Sequence, residues 1–183
     1  MDGGSTLIQL REKHAPVREF YRDATHALRI ARDGGVRLII NDRVDIALAL
    51  RADGVHLGQS DLPVEPARKL LGDAAIIGFS THNIEQVKDA LQLPIDYIAF
   101  GPIYSTSTKE NPDPVAGLLA LPEVSSLTAP LPLVAIGGIT AAETREVLNA
   151  GASAVAVVSA VLAKPGEIAQ NLRNMMTLAE ALG

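Results

Sequence analysis

The sequence predicts an α/β fold of the TIM-type (β/α)-barrel class, and two observations support this prediction. First, short runs that are nearly continuous in Val, Ile, Leu and Ala alternate with amphipathic stretches, and such runs are typical of parallel strands buried on both faces. Second, polar residues cluster at the carboxyl ends of these runs. Strands are predicted at Thr6–Glu12, Arg37–Asn41, Gly54–Leu57, Ile76–Ser80, Tyr97–Ile103, Leu133–Ile139 and Ala154–Ser159.

The segments between the strands have the spacing of amphipathic helices. The first helix is predicted to end at Gly34-Gly35. Thr140 and Glu143 have capping-box spacing and begin a helix that runs to Gly151, and a last helix is predicted over Pro165–Leu182. No repeat or linker interrupts the alternation, so a single domain is predicted over residues 1–183. The apolar face of the first helix comprises Val17, Phe20, Ala24, Ala27, Leu28 and Ala31.

Composition excludes several classes of protein. A net charge of −5, with three Phe, three Tyr and no Trp, does not fit a nucleic-acid-binding surface. The longest uncharged apolar run, Ala154–Ala163, is too short to span a membrane. The absence of cysteine excludes disulfides, thiolate metal sites and a cysteine nucleophile. Met1–Ser5 has no signal-peptide pattern, so a cytoplasmic location is expected.

The placement of the polar clusters favours a barrel over a doubly wound open sheet. In a barrel the carboxyl ends of the strands surround one mouth, and the loops after the last two strands hold phosphate. An open sheet would bring together only the clusters at its switch point. The clusters are Gln9/Arg11/Lys13, Asn41/Asp42, Ser80/Thr81, Thr106/Thr108/Lys109, Gly137/Gly138 and Ser159.

The first cluster predicts an anion site. Gln9, Arg11 and Lys13 alternate along a predicted strand and therefore share one face, while Ile8 and Leu10 are expected to pack against helices. Two cations and an amide on one face need an anionic partner, because unpaired buried charge is costly. The alternative is a strand end in solvent, with an acidic neighbour in the chain as a local partner.

Asn41-Asp42 and Asp61 follow two neighbouring strands and form a candidate metal site. Two loop carboxylates suit Mg²⁺, which prefers one or two carboxylates together with water and phosphate oxygens. The alternative is that both residues are ordinary turn residues, or that Asp61 caps a helix. His56 lies among apolar neighbours and is expected to be a hydrogen-bonded core residue.

The remaining clusters are suited to phosphate. Thr106, Thr108 and Lys109 place two hydroxyls and an ammonium after a Gly-Pro turn, and residues 110–116 could close over a site. The alternative is a solvated connection. Gly137-Gly138 and Val158-Ser159 follow the last two strands, where glycine lets backbone N–H groups approach an anion.

Taken in chain order, these segments resemble the thiamine-phosphate synthase family, from about Gly3 to the final helix. The ordered set is far more specific than any one motif. The motifs are Gln-Leu-Arg-Glu-Lys at 9–13, Asn41-Asp42, Asp-Gly-Val-His-Leu-Gly-Gln at 53–59 with Asp61, Ser80-Thr81-His82, Gly-Pro-Ile-Tyr at 101–104, Thr106-Ser107-Thr108-Lys109, Ala-Ile-Gly-Gly-Ile at 135–139 and Val158-Ser159.

The resemblance implies a transferase that joins 4-amino-2-methyl-5-(diphosphooxymethyl)pyrimidine to a thiazole phosphate, giving thiamine phosphate and pyrophosphate. It implies that Mg²⁺ is bound by Asp42 and Asp61. The catalytic cations would be Arg11, Lys13 and Lys109, which stabilise charge on the leaving pyrophosphate. The pyrimidine pyrophosphate would be bound by Gln9, Leu10, Arg11, Glu12, Lys13, Asn41, Ser80 and Lys109. The thiazole phosphate would be bound by Thr106, Thr108, Gly138, Val158 and Ser159.

Two features depart from the family pattern. Ser105 stands where relatives often carry Pro. The family also has a strand and a helix before its Gln-Leu-Arg-Glu-Lys strand, whereas only Met1–Ser5 precede that strand here. Seven strands are therefore expected, with the first β/α unit missing. A late start or truncation is favoured over the alternative of a natural seven-stranded enzyme.

Two other functions are compatible with the resemblance. A thiazole tautomerase-like isomerase would keep the thiazole-phosphate residues, and a non-catalytic barrel remnant would bind ligand without turnover. The isomerase has no use for the full set of pyrophosphate and metal residues, all of which are present. The expected partners are small-molecule substrates, with no nucleic acid and no membrane, and the chain could form a homo-oligomer.

Overall fold

Seven parallel β-strands alternate with helices in the computed structural model, which describes residues 3–109, 111 and 113–180. The strands are β1 Leu7–Leu10, β2 Arg37–Asn41, β3 Gly54–Leu57, β4 Ile76–Thr81, β5 Tyr97–Phe100, β6 Leu133–Ile136 and β7 Ala154–Ala156. The helices are α1 Val17–Asp33, α2 Val44–Leu50, α3 Val64–Leu71, α4 Ile84–Ala90, α5 Leu121–Thr128, α6 Ala141–Asn149, α7 Ser159–Leu162 and α8 Ile168–Glu180. Short 3₁₀ turns occur at Leu118–Ala120 and Pro165–Glu167. All seven predicted strands are present, which confirms the predicted α/β class.

Residues 5–79 and 93–95 form one compact unit. Its strands β1 to β4 pair in chain order, with Ile39 of β2 opposite Gly54 and His56 of β3 opposite Gly78. Successive strands are parallel because a helix returns the chain to the same end of the sheet each time. The core of this unit includes Phe20, Leu28, Leu38, Ile40, Val55, Leu57, Val64 and Ile77.

Helix α1 illustrates how the apolar pattern determines burial. Phe20, Ala24 and Leu28 are buried, whereas the polar residues of the opposite face are exposed. The helix ends where predicted, because the N–H of Gly34 donates to carbonyls of the last turn and Gly35 adopts a positive φ of 67°. Helix α1 has 17 residues and is amphipathic.

None of the helices within the described ranges has the length and hydropathy required to cross a membrane.

Strand β1 is shorter than predicted and less well covered. It ends at Leu10 rather than Glu12, because the carboxylate of Glu12 accepts the N–H groups of His14 (2.7 Å) and Ala15 (3.1 Å) and turns the chain towards α1. Ile8 is 40% exposed, so its expected packing against helices is wrong, whereas Leu10 packs on the core. The reason is that β1 lies at the edge of the sheet, with β2 as its partner.

Residues 3–4, 80–92 and 96–180 form a second compact unit. Strands β5, β6 and β7 again pair in parallel, with Ala99 opposite Val134 and Ala135 opposite Val155. The strands predicted to reach Ile103, Ile139 and Ser159 end three residues earlier, where the chain turns into the loops that follow them. Buried apolar residues of this unit include Ile98, Phe100, Leu121, Val124, Leu133 and Val147.

The predicted capping box of α6 is confirmed. Thr140 Oγ1 accepts the N–H of Ala142 (3.2 Å), and Glu143 Oε2 accepts the N–H of Thr140 (3.0 Å). The reciprocal bonds satisfy amide donors that the first turn of a helix leaves without partners. The last helix begins at Ile168, after the 3₁₀ turn that contains Pro165, and the predicted end at Leu182 lies outside the described residues.

His56 is a core residue, as expected, and should make the fold sensitive to acid. Burial lowers its pKa to about 4 from an ordinary value of 6.5, although the charge of Asp42 acts in the opposite direction. Between these values the unfolded chain binds a proton that the folded chain does not, so stability should fall as the pH drops through this range. The loss at pH 4 should be about 3 kcal/mol. Urea denaturation between pH 7 and pH 4 measures this loss.

The control for this prediction is the exposed His26. His56→Gln should flatten the dependence of the unfolding free energy on pH, whereas His26→Gln should leave it unchanged. Equal slopes in the parent and in His56→Gln would contradict the assignment of acid sensitivity to this buried imidazole.

Candidate active site

Three charged side chains meet after β1, β2 and β3 in the first unit. The ammonium of Lys13 pairs with Asp42 Oδ2, and the carboxyl group of Asp61 lies near enough to that of Asp42 for the two to interact. Asp42 directly follows β2, and Asp61 follows β3 by four residues. Parallel pairing brings these segments to one edge of the sheet, as the sequence predicts for strand ends.

The backbone fixes the position of Asp42. Its φ of 61° lies in the left-handed region, which Asp tolerates better than most residues but still at a cost. Its N–H donates to the carbonyl of His56 (2.8 Å), and the N–H of Arg43 donates to the carbonyl of Asn41 (2.7 Å). The N–H of Val44, the first residue of α2, donates to the carbonyl of Asp42 (3.1 Å). The carboxylate therefore projects from a tight, fully bonded turn.

Asp61 closes the turn after β3 and does not cap α3. Its Oδ2 accepts the N–H of Gly58 at 2.7 Å, whereas the residue before α3 is Pro63, which makes no side-chain cap. The pKa of Asp61 is raised, first by burial and then by the neighbouring Asp42 carboxyl, against the opposing effects of the Gly58 N–H and Lys13. Two acidic groups beside one ammonium, which pairs with Asp42, leave net negative charge when both are ionised, and this favours a bound cation.

The donor set suits a cation that takes few protein ligands. No group of three or more His, Asp or Glu side chains within residues 3–109, 111 and 113–180 has a metal-binding arrangement. A pair of carboxylates remains, which matches the preference of Mg²⁺ for one or two carboxylates with water and phosphate oxygens.

Gln9, Arg11 and Glu12 of the 9–13 segment are exposed, whereas Leu10 packs on the core. Arg11 lies beyond the end of β1, which is Leu10. The prediction that Arg11 and Gln9 share one face of a strand is therefore wrong. Glu12 does not pair with Lys13; its carboxylate binds backbone N–H groups of His14 and Ala15, which lower its pKa. Arg11 has no ion-pair partner within the described ranges, so its guanidinium remains available to an anion.

In the second unit, the carboxyl ends of β4 and β5 carry a separate group. Ser80 and Thr81 end β4, and Thr81 is buried with its hydroxyl donating to the carbonyl of Ala99 (3.0 Å). After β5, the N–H of Thr108 donates to Thr106 Oγ1 (3.3 Å). The hydroxyl of Thr106 is thus held close to the backbone of the loop that carries Lys109.

Asp113 and His82 belong to the same group, and the sequence predicts a role for neither. Lys109 Nζ lies 2.7 Å from Asp113 Oδ2, and His82 Nε2 lies 3.4 Å from the same oxygen. The available signal was the spacing of four residues between Lys109 and Asp113, which suits an ion pair. The sequence instead indicates an exposed covering loop over 110–116, of which residues 110 and 112 lie outside the described part.

The glycine loop after β6 makes close contacts. Gly137 and Gly138 have φ values of 96° and 67°. A Cβ on Gly138 would overlap the carbonyl oxygen of Ser105 and approach Tyr104 Cβ to 2.8 Å. The loops after β5 and β6 therefore pack on each other through a position where only glycine fits.

The last predicted pair lies at the start of α7. Val158 directly precedes this helix and Ser159 is its first residue, and both are exposed. Their roles in binding phosphate, like those of Thr106, Thr108 and Gly138, stay predictions.

Comparison with known proteins identifies relatives over most of the chain. Residues 1–161 match the profile of the thiamine monophosphate synthase family. A thiamine-phosphate synthase of Hydrogenobaculum sp. is 44% identical over 162 residues, covering 88% of this chain and 75% of the relative. One from Persephonella marina is 45% identical over 180 residues, covering 98% and 85%. The solved thiamine phosphate pyrophosphorylase from Pyrococcus furiosus has a TM-score of 0.88 and 34% identity, covering 98% of this chain and 85% of that one.

The fold is that of a TIM-type α/β enzyme, and the solved structure confirms the predicted barrel-type class. Within that class, the chain belongs to the thiamine-phosphate synthase family. The predictions of a transferase and of a part in thiamine biosynthesis are thereby confirmed. Of the alternatives, neither the isomerase nor the non-catalytic remnant is favoured by these relatives.

Gly138→Ala should destabilise the protein more than Gly35→Ala. Both glycines have a φ of 67°, so the backbone cost of adding a Cβ is matched, at about 1–2 kcal/mol. Space around Gly35 is open, whereas a Cβ on Gly138 meets Ser105 and Tyr104. The overlap should add about 1–3 kcal/mol to the loss in free energy of unfolding. Urea denaturation measures the difference, and equal losses would show that the loop moves aside freely.

Proposed function

We propose that this chain joins 4-amino-2-methyl-5-(diphosphooxymethyl)pyrimidine to a thiazole phosphate, forming thiamine phosphate and pyrophosphate. The observation that carries the proposal is the Lys13–Asp42 ion pair with the carboxyl group of Asp61 beside it. A carboxylate pair beside an ammonium suits a diphosphate that arrives with a divalent cation, because the cation meets the carboxylates and the ammonium meets phosphate oxygens. The isomerase alternative has no pyrophosphate to bind.

Asp42 and Asp61 would hold Mg²⁺. Their carboxyl groups interact with each other, and a divalent cation between them would offset the repulsion of two ionised groups. When bound, Mg²⁺ supplies Lewis acidity to the oxygens of the leaving pyrophosphate. Asn41, buried at the end of β2, and Gln9 in β1 would bind the pyrimidine pyrophosphate, with the backbone and side chains of Leu10 and Glu12 beside it.

In the proposed reaction the C–O bond to pyrophosphate breaks, and the electron pair leaves with the pyrophosphate. Negative charge grows on that group, and Arg11, Lys13 and Lys109 stabilise it. The exocyclic carbon becomes carbocation-like and accepts the lone pair of the thiazole nitrogen, forming the C–N bond. No proton moves in either event, so the enzyme needs no general base.

The thiazole phosphate would be bound by residues of the second unit. The loop over Thr106 and Thr108 offers hydroxyls and N–H groups, and Gly138 lets the backbone approach closely. Ser159 and Val158 follow β7, the last strand, where enzymes of this fold class keep phosphate. Ser80 is proposed to contact the pyrimidine substrate.

The remaining features of the proposal concern the protein as a whole. We propose a single domain over residues 1–183, a cytoplasmic location and small molecules as partners. The relatives are thiamine-phosphate synthases, and the helices of the described ranges do not cross membranes, which supports these assignments. Formation of a homo-oligomer stays a prediction.

Product formation should require a divalent cation, and Asp42→Asn or Asp61→Asn should reduce it at least about a hundredfold. Asparagine keeps the left-handed backbone of residue 42 accessible and removes only the charge. A coupled assay for thiamine phosphate with and without Mg²⁺ measures the effect. Mg²⁺ should also raise the melting temperature of the parent but not of either variant.

Asp73→Asn, at an exposed position after α3, is the matched control and should keep parental activity. Full activity of the parent in excess EDTA would contradict the proposed metal requirement.

Lys109→Ala should reduce kcat more than it raises KM for the thiazole phosphate, whereas Ser159→Ala should do the reverse. Lys109 is proposed to meet charge that grows in the transition state, while the hydroxyl of Ser159 binds a phosphate that does not react. Steady-state kinetics of both variants, with each substrate varied in turn, provide the comparison. An unchanged kcat for Lys109→Ala would show that its loop is merely a solvated connection.

A further inference from the structure

One carboxylate oxygen in the second unit holds two cationic or potentially cationic groups. Asp113 Oδ2 lies 2.7 Å from Lys109 Nζ and 3.4 Å from His82 Nε2. The other ring nitrogen of His82 lies 2.6 Å from the carbonyl oxygen of Gly101, at the end of β5. The proposed reaction uses Lys109, and neither Asp113 nor His82 takes part in it.

We propose that Asp113 competes with the substrate for Lys109. Its carboxylate forms an ion pair with the Lys109 ammonium, and this pair must separate when the pyrophosphate group binds the ammonium. This inference rests on the proposed function, since it takes Lys109 to be a pyrophosphate-binding residue. Asp113 thereby sets how strongly an anion must bind in order to capture Lys109.

The charges favour competition. An ammonium at 2.7 Å from a carboxylate presents a nearly neutral pair to an approaching anion. Lys109 also holds the pKa of Asp113 below its usual range, so the carboxylate is ionised at neutral pH. A pyrophosphate near Lys109 would therefore meet repulsion from Asp113 until the pair separates.

The exposure of the pair allows the exchange. The side chain of Lys109 is 52% exposed and that of Asp113 is 34% exposed. Ion pairs in such surroundings are weak, because water solvates both partners. A ligand that carries several negative charges can displace a single carboxylate from the ammonium of an exposed ion pair. It could not do so if the ion pair were tightly buried.

His82 gives Asp113 a place to remain after Lys109 leaves. The carbonyl of Gly101 can only accept, so Nδ1 of His82 carries a hydrogen. Nε2 donates to Asp113 when the ring is also protonated there, because an unprotonated Nε2 would present a lone pair to the carboxylate. The backbone N–H of His82 also donates to Gln86 Oε1 (2.8 Å) at the start of α4. These two bonds hold His82 just after β4, on a different segment from the loop that carries Lys109 and Asp113.

The opposite role for Asp113 would be to anchor Lys109 in a productive position. The two roles predict opposite signs. If Asp113 competes, replacing it with an uncharged isostere tightens anion binding, and if it anchors, the same replacement weakens binding.

Calorimetric titration with pyrophosphate in the presence of Mg²⁺ tests the proposal. Asp113→Asn should lower the Kd for pyrophosphate about fivefold or more, because one opposing charge is removed. In a Lys109→Ala background the same substitution should have at most half that effect, because the contested ammonium is absent. Glu167→Gln is the control: it removes a carboxylate from the Lys164–Glu167 ion pair, which is more exposed than the Lys109–Asp113 pair, and should leave the Kd unchanged.

His82→Asn tests the second link. Asparagine can still donate to the carbonyl of Gly101 but cannot reach Asp113, so Asp113 loses its alternative partner and the Kd for pyrophosphate should rise. An unchanged or raised Kd in Asp113→Asn, or an equal gain in the Lys109→Ala background, would overturn the proposal, as would a failure of both parent and Asp113→Asn to bind pyrophosphate.

Turnover measured on the same proteins separates this inference from the function on which it rests. A parent protein that forms no thiamine phosphate, yet shows the predicted pattern of Kd values, would refute the proposed reaction and support competition for Lys109. A parent that forms thiamine phosphate, with Kd values that do not depend on Asp113, would support the proposed reaction and refute the competition for Lys109.

Discussion

Parallel pairing of neighbouring strands is the constraint on which the candidate active site depends. In the first unit it brings the segments after β1, β2 and β3 to one edge, so that Lys13, Asp42 and Asp61 interact although they lie far apart in the chain. In the second unit the loops after β5 and β6 meet in the same way at Gly138. Helices cover the strands and make the strand ends the natural place for polar chemistry.

In each unit a lysine at the carboxyl end of the strands lies beside acidic side chains. Lys13 faces the carboxyl groups of Asp42 and Asp61, and Lys109 faces Asp113. Each ammonium that is proposed to bind an anion is therefore paired with an acid of the protein itself. We therefore expect a bound anion to replace Asp42 or Asp113 as the partner of a lysine whose position is already set.

The segments predicted from the sequence are the elements that the structure contains, but the ends of the elements differ. Seven strands were predictable because apolar runs in a parallel sheet are buried on both faces. The end of β1 at Leu10 was not, because it depends on Glu12 binding two backbone N–H groups rather than a neighbouring cation. The cap of α6 was predictable, since Thr140 and Glu143 act only on their own turn.

The sequence by itself determined the fold class, the family resemblance and the chemical types at the strand ends, because these depend on local periodicity and on ordered motifs. Only the tertiary structure decided which of those side chains touch. Asp61 was equally compatible with a helix cap until its contacts with Gly58 and Asp42 were known, and the capture of Lys109 by Asp113 has no counterpart in the motifs. The physical reason is that charge pairing acts over a few ångströms in space, between groups whose distance is set by backbone turns such as the left-handed one at Asp42.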